Sequence, residues 1–480
     1  MKKTSTLALI IGWSLLVHWP GITSPLLDYH AHRQCQTASM ARNYFRHGMH
    51  FLKPEVDTNG PAVWTGTEFP LYSYGVAMLY KLFGFHEILG RLLSIALTAW
   101  SAVFLYGLVR RRLGETVGLW SALIMCAIPV HIYFTRTVQP ESMALWAFLG
   151  FVYYLDRRLA GEGRLWDWPV LIALGALGPL LKLPFLYLVG GLWLILGIEY
   201  RRIFHPGYWG ALIAIIGLTA AWYHYARQAP VQVLPLGAGE HWQNLKVLLQ
   251  PDFWQAKFIS RFPEIDTTYS GLLLGAIGVR SLWRSADQKQ SRDNRLFFTG
   301  WWLITAAYIV LLGAYGWTHK YTDIPWAPIN SIFIALGVLT AWRWATSSGG
   351  RRALVILLIL GIPVHAALRI KHWYRLERLW LYPAHDLLQR ISHPGDLVLT
   401  NTRETPVLLY YIDRCGYCVN LDTASQVEVD QWLPKVRFFL TPVEGSWTRH
   451  PEWAAFFEKR ARRIRSDPEY CLYEVRPPLS

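Results

Sequence analysis

The sequence predicts an α-helical polytopic membrane protein of about eleven transmembrane helices, followed by a small α/β domain outside the membrane. Three observations carry this reading. The 480 residues are 53% hydrophobic and 15% aromatic, with 25 Trp, and only 16% are charged, where a soluble domain has about a quarter. The apolar residues fall into separate segments of membrane-spanning character, and the basic residues fall into short clusters between them. Beyond Lys371 the long apolar segments stop.

Met1-Lys2-Lys3 precedes an apolar run to about Val17. The small-residue cleavage pattern around Gly21 to Ser24 is weak, so the run reads as an uncleaved anchor. Further spans are expected at roughly 88–109, 116–134, 141–155, 168–181, 184–199, 207–225, 269–283, 296–315, 326–344 and 353–370. Several are shorter than the ~20 residues that cross a bilayer upright. With the N-terminus inside, alternate loops carry Arg110 to Arg112, then Arg157, Arg158 and Arg164, then Arg201 and Arg202, then Arg284, Lys289, Arg292 and Arg295, then Arg343, Arg351 and Arg352. All fall on the cytoplasmic side, as the positive-inside rule requires. The 28–87 loop, the Arg136 turn, the 226–268 loop, the Trp317 to Trp326 loop and the C-terminal domain then lie outside. The location expected is the inner, or plasma, membrane.

This divides the chain into a membrane domain, 1–370, with a long first external loop at 28–87, and an extracytoplasmic domain, 371–480. Leu71 to Phe85 reads as an amphipathic helix in the membrane interface. The 226–268 loop, with Trp242, Trp254, Lys257, Arg261, Glu264 and Asp266, is longer than ordinary connections. In the last hundred residues, short strands at Asp396–Thr400 and Val436–Leu440 alternate with helical stretches near Ala384–Ile391, Thr405–Ile412 and Glu452–Ala461, the mark of an α/β domain. Of the five cysteines, Cys126 reads as a buried apolar residue. Cys415, Cys418 and Cys471 suggest a structural disulfide in an oxidising compartment.

Candidate chemistry lies in the loops. Asp28 to Asn43, DYHAHRQCQTASMARN, crowds an acid, two histidines and two arginines into a turn-rich run just after the first apolar segment. Such groups beside lipid are costly unless they face water, a partner or a substrate. Asp28, His30, His32 and Arg33 are therefore read as the rim of a polar site, against the plain alternative that any loop leaving a span is polar. Glu68 in Glu68-Phe69-Pro70-Leu71-Tyr72, and Glu141 beside Arg136 and Pro140, repeat an acid and a proline at the mouth of an apolar segment. The net charge of +15 does not imply nucleic acid, since no long basic patch is interleaved with exposed aromatics. No Gly-rich phosphate loop, nucleophile elbow or His-Glu-x-x-His motif occurs.

The run Arg33-Gln34-x-x-Thr37-Ala38-x-x-Ala41-Arg42-Asn43, then Glu68 to Tyr72, Gly90-Arg91-Leu92-Leu93-Ser94, Arg136-x-x-x-Pro140-Glu141 and His319-Lys320-Tyr321, resembles the polyprenyl-phosphate-sugar glycosyltransferases of GT-C architecture. The branch is that of the protein-mannosyltransferase-like and aminoarabinose-transferase-like enzymes, and the likeness covers about residues 1–370. It implies transfer of a sugar from a polyprenyl-phosphate donor to a lipid, glycan or protein acceptor. The family's catalytic acid falls on Asp28, with Glu68 and Glu141 as alternates. An alcohol needs a base to take its proton, and a leaving phosphate needs cations to balance its charge. Arg33, Arg136, Lys182, His319 and Lys320 are the cations expected near the outer face, with His30, His32 and Tyr321 as further substrate contacts.

Two departures matter. Many relatives carry adjacent acids where this chain has Asp28-Tyr29, so the resemblance leaves a divalent metal open and names no certain cofactor. The aminoarabinose-type branch has a lysine before the first-loop proline, where this chain has Phe69. The competing class is a non-enzymatic flippase or transporter of lipid-linked glycans. Transporters keep ionisable residues near the midplane and show repeated halves, whereas here the polar residues gather at one face.

Overall fold

The computed structural model describes residues 3–61, 63–204, 206–232, 244–284, 289–401 and 405–476. Trp242 and part of the 226–268 loop lie outside the described residues. The chain divides into two compact units that are discontinuous in sequence. The first comprises Met1–Ile22, Gly90–Tyr225 and Leu234–Trp373, and the second Thr23–Leu89, Ala226–Val233 and Tyr374–Ser480.

Each of the eleven expected apolar segments is occupied by a helix. By length and composition two of the described helices suffice to cross a membrane, Ile88–Leu113 and Gly349–Tyr374. Thr4–His18, Glu115–Ala127, Asp167–Leu181 and Phe185–Glu199 are shorter apolar helices, and at ~1.5 Å per residue a 15-residue helix reaches about 22 Å of a ~30 Å hydrocarbon layer. Two expected spans are interrupted. The 116–134 segment breaks before Pro129 into Glu115–Ala127 and Pro129–Phe134, because Pro129 has no N–H to continue the ladder. The 296–315 segment ends at Leu311 and restarts at Gly313, whose φ is +51°.

The first unit buries polar side chains within its apolar core and exposes apolar ones. Arg91, Ser94, His131, Arg136 and Thr137 are buried, while Ile213, Leu303, Leu357 and Leu368 are exposed. A large exposed apolar surface is what a lipid-facing bundle requires. The basic helix ends also converge. Arg112 ion-pairs with Asp156 and with Glu199 at 3.0 Å, Asn294 donates to its carbonyl at 3.0 Å, and Phe297 lies under its guanidinium. Helix ends expected in different loops of one face therefore meet at one side chain.

The second unit joins the first loop to the C-terminal segment. Its short strands β1 (Glu55–Val56), β2 (Val63–Gly66) and β3 (Val231–Gln232) form one small sheet. A second sheet contains β4 (Val398–Thr400), β5 (Gly416–Cys418), β6 (Phe438–Pro442), β7 (Ala461–Ser466) and β8 (Tyr470–Val475), in the order β5-β4-β6-β8-β7. β4 runs parallel to β5 and β6, and β8 runs antiparallel to β6 and β7. Phe439 stacks on Phe457 at 3.8 Å in a core with Trp447 and Tyr473. The first loop is stitched to the edge of this sheet, with Gly416 N donating to the Asp57 carbonyl at 3.0 Å and Gly60 N donating to that of Gly416 at 2.9 Å.

The run from Asp28 is not turn-rich throughout: Ala31–His47 is a helix of 17 residues. The disulfide expectation is corrected as well. Cys418 on β5 and Cys471 on β8 have two strands between them, about 14 Å at ~4.8 Å per spacing, beyond the ~7 Å a disulfide tolerates. Cys415 immediately precedes β5 and Cys418 ends it, and the ~3.3 Å rise per residue of extended chain carries them about 10 Å apart.

The helices Tyr269–Arg284 and Trp326–Ala345 pack through facing glycines. A Cβ at Gly278 would collide with the carbonyl of Phe333, and one at Gly337 with that of Leu274, whereas at Gly190 it would meet nothing within 4 Å. Gly278→Ala or Gly337→Ala should each cost about 1–3 kcal/mol by overpacking, read as a lowered melting temperature in detergent. Gly190→Ala should leave that temperature unchanged.

Candidate functional site

The turn before the Ala31–His47 helix carries Asp28. That residue is 3% exposed, and Gln34 Nε2 donates to its Oδ1 at 2.6 Å and to the Tyr29 carbonyl at 3.3 Å. His30 starts the helix in the left-handed region, φ 62°, with its ring edge-on to Tyr29 at 4.7 Å. His32, the second residue of the helix, is half-buried. Arg33 does not pair with the acid before it. It forms an ion pair with Glu68 and donates to Gln36 Oε1 at 2.9 Å, and Thr67 donates to Glu68 Oε2 at 2.7 Å. Asp28, His30, His32, Arg33 and Glu68 thus all belong to the second unit.

The same helix is anchored further along. Arg42, buried, bonds Asp57 at 2.6 Å, Asp413 at 3.0 Å and the Tyr410 carbonyl at 2.7 Å, with its guanidinium over the Tyr410 ring. Arg46 adds a second bond to Asp413 at 2.6 Å. Burial works to raise the Asp413 carboxyl, but the Arg46 and Arg42 guanidiniums outweigh it and hold it below the usual carboxylate range.

The first unit holds the other candidates, Arg136, Glu141, Lys182, His319, Lys320 and Tyr321. Arg136 is fully buried, donates to the Gly21 carbonyl at 3.1 Å and lies 4.9 Å from the Tyr133 ring. Glu141 opens its helix and pairs with Lys182, the residue that ends Asp167–Leu181, at 2.6 Å. Lys182 also lies 5.2 Å from the Tyr321 ring, which His319 stacks upon at 5.2 Å and Tyr315 bonds through its hydroxyl at 2.6 Å. Lys320 is half-buried over Trp373. Burial first, then the charges of Arg261 and Arg369, pull its ammonium down to about 8.

Sequence reasoning gave no role to the groups beneath these. The wide, π-type helix Gln255–Asp266 supplies Lys257, Arg261 and Asp266, and such helices are frequent at functional sites. Lys257 Nζ bonds Asp323 Oδ1 at 2.6 Å, with both side chains buried, and Arg261 bonds the carbonyls of Gly316 and Trp317. Burial, and then the charge of Asp323, push the Asp266 carboxyl well above its ordinary value, against Lys257 and Arg261. Gln34 was visible only as part of a motif, since a residue six positions from an acid has no periodic reason to reach it. Among the described residues, no group of three or more His, Cys, Asp or Glu side chains is arranged to hold a metal ion.

Residues 67–224 match a family profile described as dolichyl-phosphate-mannose-protein mannosyltransferase. No curated protein matches the chain in sequence. Among solved structures, the fold is similar to that of ArnT from Cupriavidus metallidurans bound to undecaprenyl phosphate, with a TM-score of 0.61 and 13% identity over 98% of both chains. It is similar as well to the archaeal oligosaccharyltransferase AglB from Archaeoglobus fulgidus, in complex with an inhibitory peptide and a dolichol-phosphate. There the TM-score is 0.65 and the identity 10%, over 98% of this chain and 74% of that one. The mycobacterial arabinofuranosyltransferase AftD gives a TM-score of 0.55 at 14% identity, over 98% of this chain and 41% of its own. These likenesses establish the fold.

Lys257 is the cation paired with the buried Asp323 carboxylate. Lys257→Met should cost about 3–5 kcal/mol, the usual penalty for orphaning a buried charge, seen as a lower melting temperature in detergent. Pairing it with Asp323→Leu should recover most of the loss.

Proposed function

We propose that this protein, which has the GT-C fold, is an integral-membrane glycosyltransferase that moves a sugar from a polyprenyl-phosphate donor to an acceptor hydroxyl. Support for the donor comes from the similar structures, one holding undecaprenyl phosphate and another a dolichol-phosphate. The alternating arginine clusters support a site at the outer face of the membrane. The observation that carries the reading is Asp28, a buried carboxylate oriented by Gln34 through Oδ1. An ionised carboxylate has about four lone-pair sites, so it can keep that bond and accept a hydroxyl as well. Glu68 pairs with Arg33, and Glu141 with Lys182.

In the proposed step, Asp28 takes the acceptor hydroxyl proton as that oxygen bonds the anomeric carbon. The bond from that carbon to the phosphate oxygen breaks from the opposite side, so the configuration inverts. The electron pair leaves with the polyprenyl phosphate, whose developing charge calls for cations. Arg33, in the same unit as Asp28, suits this role as a bidentate donor. Arg136 is fully buried, with its guanidinium on the Gly21 carbonyl and beside the Tyr133 ring.

Asp28→Asn keeps size and polarity while removing the base, and should lower transfer about 10²- to 10⁴-fold. The assay follows a radiolabelled polyprenyl-phosphate sugar in membranes holding equal amounts of each protein. Near-normal transfer by this variant, with loss in Glu68→Gln or Glu141→Gln, would move the base to one of those acids.

A further inference from the structure

The segment that precedes Asp28 is held from residues almost four hundred positions away. Leu26 N donates to the hydroxyl oxygen of Tyr411 at 2.6 Å, and that hydroxyl donates to Glu87 Oε2 at 3.3 Å. The next residue, Leu27, accepts at its carbonyl from Glu377 N at 3.0 Å. On the other side Cys35 Sγ lies 3.6 Å from the Leu26 carbonyl. Leu26 and Leu27 are fully buried, so these amides have no water to turn to. Tyr411 sits on the helix Thr405–Ile412, whose neighbouring residues Tyr410 and Asp413 receive Arg42 from the Ala31–His47 helix. One short helix of the C-terminal segment thus grips both the approach to Asp28 and the helix that carries Gln34. All of these residues belong to the second unit.

We infer that Tyr411 is a positioning residue for the transfer reaction: its hydroxyl fixes the Leu26 amide and, through the two peptide units that follow, the place of the Asp28 carboxylate. This rests on the reading of Asp28 as the base. It gives the C-terminal segment a part in catalysis besides any contact with substrate. The phenol is suited to the task. Burial and the nearby Glu87 carboxylate push its ionisation up, so it stays a neutral hydroxyl that accepts from an amide and donates to a carboxylate at once. A base must be placed to within a fraction of an ångström, and a misplacement of ~1 Å can cost about a hundredfold in rate.

Tyr411→Phe removes the hydroxyl and keeps the ring against Tyr382, its edge-to-face neighbour at 5.8 Å. The test compares wild type, Tyr411→Phe, Asp28→Asn and the double variant for transfer from a radiolabelled polyprenyl-phosphate sugar. Hydrogen exchange is followed in parallel over the peptide containing Leu26. The expected result for Tyr411→Phe is a kcat per folded molecule lowered about tenfold, with KM within about twofold, a modestly lowered melting temperature from the orphaned Leu26 amide, and faster exchange at Leu26. The double variant should be no slower than Asp28→Asn alone, because groups that act through one another are not additive. A normal kcat in Tyr411→Phe, or a double variant slowed by the full product of the two single effects, overturns the inference and leaves Asp28 in its role if Asp28→Asn is inactive. Normal transfer by Asp28→Asn overturns the reading of the base, and the positioning role with it. A purely structural role for Tyr411 would lower the melting temperature and the amount of folded protein, with kcat per folded molecule unchanged, which also overturns the inference.

Discussion

A charge taken out of water must take its partner with it, and both units are arranged around that requirement. The penalty for an ion withdrawn from water is several kcal/mol even after relaxation, and removing one partner is worse than never having had the pair. In the first unit Arg112 gathers Asp156 and Glu199, and at other helix ends Lys257 takes Asp323 while Lys182 takes Glu141. The second unit does the same with Arg42, Asp57 and Asp413. Because each of these pairs joins residues far apart in sequence, satisfying the charges also fixes which helices are neighbours. Apolar contacts alone would do this poorly, since a lipid-facing bundle gains little from hydrophobic burial between helices.

The second unit shows how that constraint reaches the candidate chemistry. Its helix Ala31–His47 buries Gln34, Gln36, Thr37, Ser39, Arg42 and Asn43 together with Ala31, Cys35, Ala38, Met40, Ala41 and Tyr44, so its inner face is hydrogen-bonding as well as apolar. Each buried polar group needs a partner, and the partners come from the strand near Asp57, from Tyr410 and from Asp413. A helix held by directed bonds has one register, whereas a greasy face tolerates sliding. Gln34 then stands in one place, and with it the Asp28 oxygen it binds.

This also explains what the sequence disclosed and what it withheld. Long apolar segments announce themselves by composition, and every expected span holds a helix. The breaks at Pro129 and Gly313 escaped because an apolar run reads the same on either side of a broken turn. The Ala31–His47 helix escaped for a different reason: hydrophobic periodicity finds helices by their apolar stripe, and this one buries polar side chains among its apolar ones. Asp28 was legible as a lone acid at the end of an apolar segment. Gln34, Lys257 and Tyr411 were not, because their roles depend on partners 6, 66 and 385 residues away, a pairing that only the folded chain creates. The close spacing of Cys415 and Cys418 invited a disulfide because the sequence does not show that the chain joining them is extended.

His30 brings these strands of argument together. A non-glycine residue in the left-handed region costs about 1–3 kcal/mol and persists only where its surroundings over-determine it, and histidine is among the side chains that enter it most readily. At His30 the reversal in φ separates the turn holding Asp28 from the helix holding Gln34. It lets the chain double back so that a residue four positions into the helix reaches an acid two positions before the reversal. The turn has no strong local preference to keep it there. What keeps it are the bonds on its two sides, Tyr411 and Glu377 on Leu26 and Leu27, and Arg42 on the helix. The strain and its restraint are therefore one device, in which distant segments hold a short turn in a conformation it would not hold alone, and the result is a buried carboxylate with a fixed orientation.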